Sequence, residues 1–134
     1  MDHLANLLSH IKNAQKKKLD RTYFKYRNKN CVKACSILYD LGYIGGYGLT
    51  ERGLFIKLKY VNNRPVIRKL TLVSTVSNPV YLKKTAIKAR GRFSTASTIW
   101  GFFIFSTNVD DKHFLTDVEC ILRGTGGKMM FFVG

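Results

Sequence analysis

The feature that most constrains this chain is the unbroken apolar run Ile99-Trp100-Gly101-Phe102-Phe103-Ile104-Phe105. Spanning a bilayer takes about twenty such residues, so the run is no transmembrane helix. It also lies too far along the chain to be a signal peptide's apolar segment. With no polar residue to turn toward water, it reads as a strand buried on both faces, which other elements must cover.

Those elements are visible on either side. Leu4, Leu7, Leu8 and Ile11 recur at helical spacing, with Asp2 placed to cap that helix and Lys16-Lys17-Lys18 closing it. Thr22 to Tyr26 reads as a short aromatic strand. A second helix is expected from Asn28 or Asn30 to Gly42, with Cys31, Cys35 and Leu38 on its apolar stripe. Leu54 to Val61 alternates as a strand, Asn62-Asn63-Arg64-Pro65 signals a turn, and Val66 to Val73 is the expected returning or crossing strand. Ser74 to Pro79 is a polar loop, and Ala86 to Ala89 suits a helical turn. Phe114, Leu115, Val118, Ile121 and Leu122 predict an amphipathic helix, with Thr116-Asp117 within its first turn or just before it. The segment Gly124-Thr125-Gly126-Gly127-Lys128 then leads into a final apolar strand, Met129 to Val133.

Charge narrows the function. The 134 residues hold 23 Lys plus Arg against 8 Asp plus Glu, a net charge of +15. At 46% hydrophobic residues the chain can bury a core, so this charge coats a folded body. It points to a polyanionic partner: RNA, DNA or an anionic membrane surface. A membrane-surface helix would carry aromatic anchors on its apolar face, and the first helix offers only Leu and Ile there.

Catalytic and metal readings find little support. Cys31, Cys35 and Cys120 form no CxxC pair, and His3, His10 and His113 are scattered. The cysteines suit small buried hydrophobes in a reducing compartment. No nucleophile elbow is present, and the only adjacent carboxylates are Asp110 and Asp111. GTGGK lacks the spacing of a phosphate-binding P-loop. Its two glycines let the backbone come close to a ligand or to another strand. We expect no enzyme, no cofactor, no metal and no small-molecule substrate.

Several motifs, taken in order, carry a resemblance. Asp2, Leu4-Ala5, Leu7-Leu8 and Ile11-Lys12-Asn13-Ala14 open the chain, and Leu41-Gly42-Tyr43-Ile44 follows the second helix. Leu58-Lys59-Tyr60, Trp100 to Phe105 with Ser106-Thr107, Leu115-Thr116-Asp117 and Gly126-Gly127-Lys128 to Val133 complete the set. Together they resemble the bacterial and organellar small-subunit ribosomal protein eight family over nearly the whole length. The family's Ser-Thr-Ser loop here ends in Asn108, and its usual Glu after the double glycine is Lys128.

The resemblance implies an α/β (α+β) protein of two small lobes, an N-terminal α/β lobe over 1–65 and an rRNA-binding lobe over 66–134, mainly β with one helix. It implies a structural constituent of the small ribosomal subunit that grips a helix in the central domain of the small-subunit rRNA and neighbours other small-subunit proteins. The expected contacts are Ser106, Thr107 and Asn108 with sugars and bases, Gly126 and Gly127 at close backbone approach, and Lys128 with phosphate. Lys12, Asn13, Lys83 and Lys84 would hold flanking phosphates. The other reading is a free-standing RNA-binding regulator, which would show stacking aromatics on an exposed sheet; most aromatics here lie in runs that read as core. Motifs beginning at residue 2 suggest no cleavable presequence. The charge and the Lys- and Asn-rich composition favour a mitochondrial ribosome over a plastid or bacterial one.

Overall fold

The computed structural model describes residues 3–75, 77–83, 85–87, 101–107 and 113–134. The expected cap Asp2, the residues Ile99 and Trp100, the pair Asp110 and Asp111, and the candidates Lys84 and Asn108 lie outside the described residues. The chain divides into two units, Met1–Arg68 and Lys69–Gly134.

In the first unit, helix α1 (His3–Lys16) buries Leu4, Leu7, Leu8, Ile11 and Ala14, the stripe that its 3.6-residue period lines up. It packs on β1 (Arg21–Phe24), where His10 and the Thr22 hydroxyl share a 2.7 Å hydrogen bond. Helix α2 (Lys29–Asp40) buries Cys31, Ala34, Cys35, Ile37 and Leu38. Asn28 holds its N-cap position, but the side chain makes no capping hydrogen bond. The helix stops because Gly42 turns left-handed at φ +84°. That turn lets the Gly42 and Tyr43 amides donate back to the Tyr39 and Leu38 carbonyls at 3.0 and 2.9 Å.

The hairpin differs from the sequence expectation. Strand β2 (Gly46–Thr50), which no alternation of apolar side chains announces, pairs with β3 (Gly53–Lys57) around Glu51-Arg52. Gly53 is obligatory there: its φ is +119°, and a Cβ would run into the Phe24 carbonyl. The antiparallel sheet has the order β1-β3-β2. Thr22, Phe24, Leu54 and Ile56 are buried, while the alternate residues Arg21 and Lys57 are exposed. Strands β4 (Tyr60–Val61) and β5 (Arg64–Pro65) form a separate small hairpin. Its turn residues Asn62 and Asn63 sit at φ +52° and +65°, the geometry a two-residue hairpin turn demands.

Val66 to Val73 does not return against β3, because both edges of β3 are already occupied. Only Leu70–Leu72 of that stretch forms a strand, β6, and it belongs to the second unit's sheet. The other members are β7 (Tyr81–Leu82), β8 (Phe102–Ser106), β9 (Leu115–Thr116) and β10 (Gly127–Val133). The order is β6-β10-β8-β9, with β7 also on β10, and every pairing is antiparallel. β8 is thus paired along both edges, and its Ile104 and Phe105 are fully buried. The expected final strand begins two residues early, at Gly127.

The last helix is shorter than the apolar spacing suggests. Phe114 and Leu115 are buried ahead of it, Leu115 within β9, and α3 runs only over Asp117–Arg123. A capping box sets that start: Glu119 N–H donates to the Thr116 hydroxyl at 3.2 Å, and Thr116 N–H donates to the Glu119 carboxylate at 3.4 Å. Val118 and Leu122 consequently face outward, and Cys120 turns inward to join Ile87, Phe105, Leu115 and Met129 in the core. Near Ile87 the expected helical turn begins at Thr85, and Ile87 N–H donates to the Lys83 carbonyl at 3.0 Å. Lys88 and Ala89 lie outside the described residues.

Candidate nucleic-acid interface

The N-terminal end of β10 is where the second unit concentrates polar and basic groups. Lys128 pairs with Ser106 of β8 on one side and with Tyr81 of β7 on the other. Directly opposed residues in a sheet project from the same face. Tyr81, Lys128 and Ser106 therefore form one row across three strands. Tyr81 is 68% exposed, while Lys128 and Ser106 are half-buried. The next row, Leu82 opposite Gly127, projects to the other face, toward the core that holds Leu82, Met129 and Phe105.

The double glycine has a structural cause. A Cβ at Gly127 would lie 2.7 Å from the Ser106 carbonyl oxygen and 2.8 Å from Thr107 Cγ2. One at Gly126 would run into the Leu82 carbonyl and lie 2.9 Å from Lys83 Cα. Glycine is what lets β7 and β8 close on the start of β10. Of the two partners open to these residues, another strand is the one present. The same closure brings Lys83, Ser106, Thr107 and Lys128 to one corner.

Ser74 holds that corner. Its buried hydroxyl accepts from Val80 N–H at 2.9 Å and donates to the Met129 carbonyl. Met129 N–H in turn donates to the Val80 carbonyl at 2.8 Å. Thr107, next to Ser106, is 6% exposed, and its hydroxyl finds no hydrogen-bond partner among the described residues. A buried hydroxyl in that state costs about 1–3 kcal/mol.

The sequence-expected candidates therefore separate. Lys83, Ser106, Thr107, Gly126, Gly127 and Lys128 come together. Lys12 and Asn13 stand on the exposed side of α1, in the other unit. Lys84 and Asn108 are outside the described residues. Sequence reasoning missed Tyr81 and Ser74. An aromatic between Pro79 and Lys83 was the available signal for Tyr81; the Ser74 tie spans 55 residues and leaves no local trace.

The chemistry open to the cysteines is narrow. All three are buried thiols, none joined in a disulfide. Burial, reinforced by neighbouring Cys31, pushes the Cys35 thiol up to about 12. Burial and the Asp117 and Glu119 charges push Cys120 up to about 11, against a smaller lowering by Arg123. Neither forms a thiolate near neutral pH, so neither is a ready nucleophile or metal ligand. Among the described residues no three His, Cys, Asp or Glu side chains stand close enough to hold a metal ion. No helix among them is long and apolar enough to cross a membrane.

The corner gathers hydrogen-bonding and cationic side chains on a sheet, and comparison with known proteins identifies the family. The family model described as Ribosomal protein S8 matches residues 2–133. The small ribosomal subunit protein uS8m of Acanthamoeba castellanii is 36% identical over 104 residues, 77% of this chain and 76% of that protein. The uS8 of Azorhizobium caulinodans is 34% identical over 134 residues, covering 96% and 94%. The uS8 of Mycoplasmopsis pulmonis is 31% identical over 142 residues, covering 98% and 96%. With the match running nearly end to end and through the corner itself, the chain belongs to the ribosomal protein S8 family.

Proposed function

We propose that this protein is a structural, non-enzymatic constituent of the small ribosomal subunit, and that the corner at the start of β10 binds a helix in the central domain of the small-subunit rRNA. The observation that carries the proposal is the row Tyr81–Lys128–Ser106 beside Lys83, a cationic, hydroxyl-bearing strip on a chain of net charge +15.

Double-helical RNA keeps its base edges in a deep, narrow groove. Proteins meet its backbone, its 2′-hydroxyls and its shallow minor groove instead. A serine at the end of β8, a strand with a neighbour on each side, is a short, preorganised donor and acceptor for such groups. Lys128 and Lys83 are point charges that neutralise phosphate with little sequence preference. The Lys128 ammonium, half-buried in the row, adds attraction for phosphate at that point. Asn108 is a further contact to sugar and base, while the buried Thr107 and the glycines Gly126 and Gly127 hold β7 and β8 in place beside the strip. Lys84, together with Lys12 and Asn13 on α1, takes flanking phosphates. The C-terminal unit is thus the principal rRNA-binding lobe, with neighbouring small-subunit proteins as further partners.

The mitochondrial relative supports a place in a mitochondrial ribosome; a plastid or bacterial ribosome is the other placement. The deciding experiment measures binding of the chain to a central-domain fragment of small-subunit rRNA. Replacing Ser106 and Lys128 together by Ala should weaken it at least about tenfold without altering the fold, from two hydrogen-bonding or charged contacts worth about 1 kcal/mol or more each. Unchanged affinity would remove the corner from the interface. Absence of the protein from sedimenting small subunits would remove the ribosomal role.

A further inference from the structure

The outer face of the first unit's sheet has no part in that proposal, and its composition is unusual. The register places Tyr23 opposite Phe55 and Arg21 opposite Lys57 on β1 and β3. It places Gly48 opposite Phe55 and Gly46 opposite Lys57 on β2. All six residues therefore share one face. It is the face turned away from the buried Thr22, Phe24, Leu54 and Ile56. The Tyr23 and Phe55 rings lie 5.5 Å apart, both half-buried. Arg52, on the β2–β3 turn, holds its guanidinium over the Tyr23 ring, 5.3 Å from its centre, and that of Arg21 lies over the Phe55 ring at 6.0 Å.

Gly46 and Gly48 need an explanation that packing does not provide. A Cβ on Gly48 would meet nothing within 4 Å, and one on Gly46 would touch only Lys57 Cβ at 4.0 Å. Neither residue has a positive φ. Glycine inside a strand weakens it, and where no bend or neighbour demands it, it leaves room for a ligand or another backbone to approach closely. Here two such glycines lie beside two aromatic rings on the same face.

We propose that this face is a stacking platform for unpaired nucleotides of RNA, separate from the corner on the second unit. Bases stack on aromatic rings and on guanidinium planes such as those lying over Tyr23 and Phe55, whatever the base, and the same cations hold the connecting phosphates. Arg21, Arg52 and Lys57 supply those cations. The opposing charges are Glu51 in the same turn and Asp20, whose carboxylate lies 3.5 Å from Arg21. Arg27 holds the turn in place by donating to the carbonyls of Thr50 and Glu51, the latter at 3.0 Å. The glycines leave a floor across β2 on which the ribose-phosphate chain runs. The platform extends the RNA-binding reading but rests on none of the residues that carry it.

The test uses the full chain and a labelled ten-nucleotide oligouridylate, followed by fluorescence anisotropy, with an RNA duplex as control. Gly48→Val adds a strand-favouring side chain into open space, so its melting temperature should equal or exceed that of the wild type. It should nevertheless bind the oligonucleotide at least about tenfold more weakly, and the duplex as before. Tyr23→Leu should weaken oligonucleotide binding about five- to a hundredfold, and Arg52→Gln, on an exposed turn, by a smaller factor. The Ser106 and Lys128 variant should bind the oligonucleotide normally, which separates failure of one site from failure of the other. No binding of the oligonucleotide by the wild type, or equal binding by Gly48→Val and Arg52→Gln, overturns the proposal.

Discussion

The hydroxyl of Ser74 donates to the backbone carbonyl of Met129, 55 residues further along the chain. It also accepts from Val80 N–H at 2.9 Å, so one side chain fastens the approach to β7 against the middle of β10. The polar corner beside Lys128 depends on that fastening.

Ser74→Ala leaves the Val80 amide without the bond it makes to this hydroxyl, and the Met129 carbonyl likewise. The expected loss is about 1–3 kcal/mol of unfolding free energy, the cost of stranding buried backbone groups. Urea denaturation of the wild type and variant measures it. A loss under about 0.5 kcal/mol would mean that water replaces the hydroxyl without penalty.

Gly127→Ala should damage stability and binding together. Its new Cβ would sit 2.7 Å from the Ser106 carbonyl, so β8 must shift away from β10. Overpacking of this kind costs about 1–3 kcal/mol. Thermal melting reads the first effect and rRNA-fragment affinity the second. An unperturbed melting curve would show that the strands have slack at this point.

Lys128→Ala should reduce the dependence of rRNA binding on salt. Each phosphate contact releases a condensed counterion, so losing one flattens the slope of log affinity against log salt by about 1. Lys128→Glu should weaken binding further. Parallel salt plots for wild type and Lys128→Ala would show that the ammonium touches no phosphate.

Alkali should destabilise the fold through Cys35. Its thiol ionises near 9.0 when exposed and is pushed up to about 12 in the folded chain. Below pH 9 both states are protonated, and this group contributes no pH dependence. Above pH 9 the unfolded chain loses the proton first, so stability falls with rising pH, by up to about 1.4 kcal/mol per pH unit from this group. Cys35→Ala should show a shallower decline than wild type between pH 9 and 10. Equal slopes would mean that the thiol ionises without opening the core.

How much was legible depended on whether the signal was local. The stripe of Leu4, Leu7, Leu8 and Ile11 specified α1, and Asn62-Asn63 specified its turn, since Asn tolerates the left-handed region better than most residues. Ser106, Thr107 and Lys128 were recognisable as candidates from residue type and resemblance. Strand β2 was hidden because Gly46 and Gly48 lack side chains that report a strand. The short length of α3 is not legible in the spacing, since Phe114, Leu115, Val118 and Leu122 keep the helical period while the Thr116–Glu119 box starts the helix only at Asp117. Apolar spacing alone did not say which of these residues are buried.

The order of residues along the chain determined the local elements, the excess of cations and the family, because periodicity, capping and charge are written in neighbouring positions. Only the tertiary structure decided that Leu70–Leu72 joins β10 instead of β3, that Gly127 makes room for Ser106, and that Tyr23 meets Phe55 beside two bare glycines. Pairing partners are chosen by which strand edges remain open and by what fits between backbones. Those conditions exist only once segments far apart in the chain have packed together.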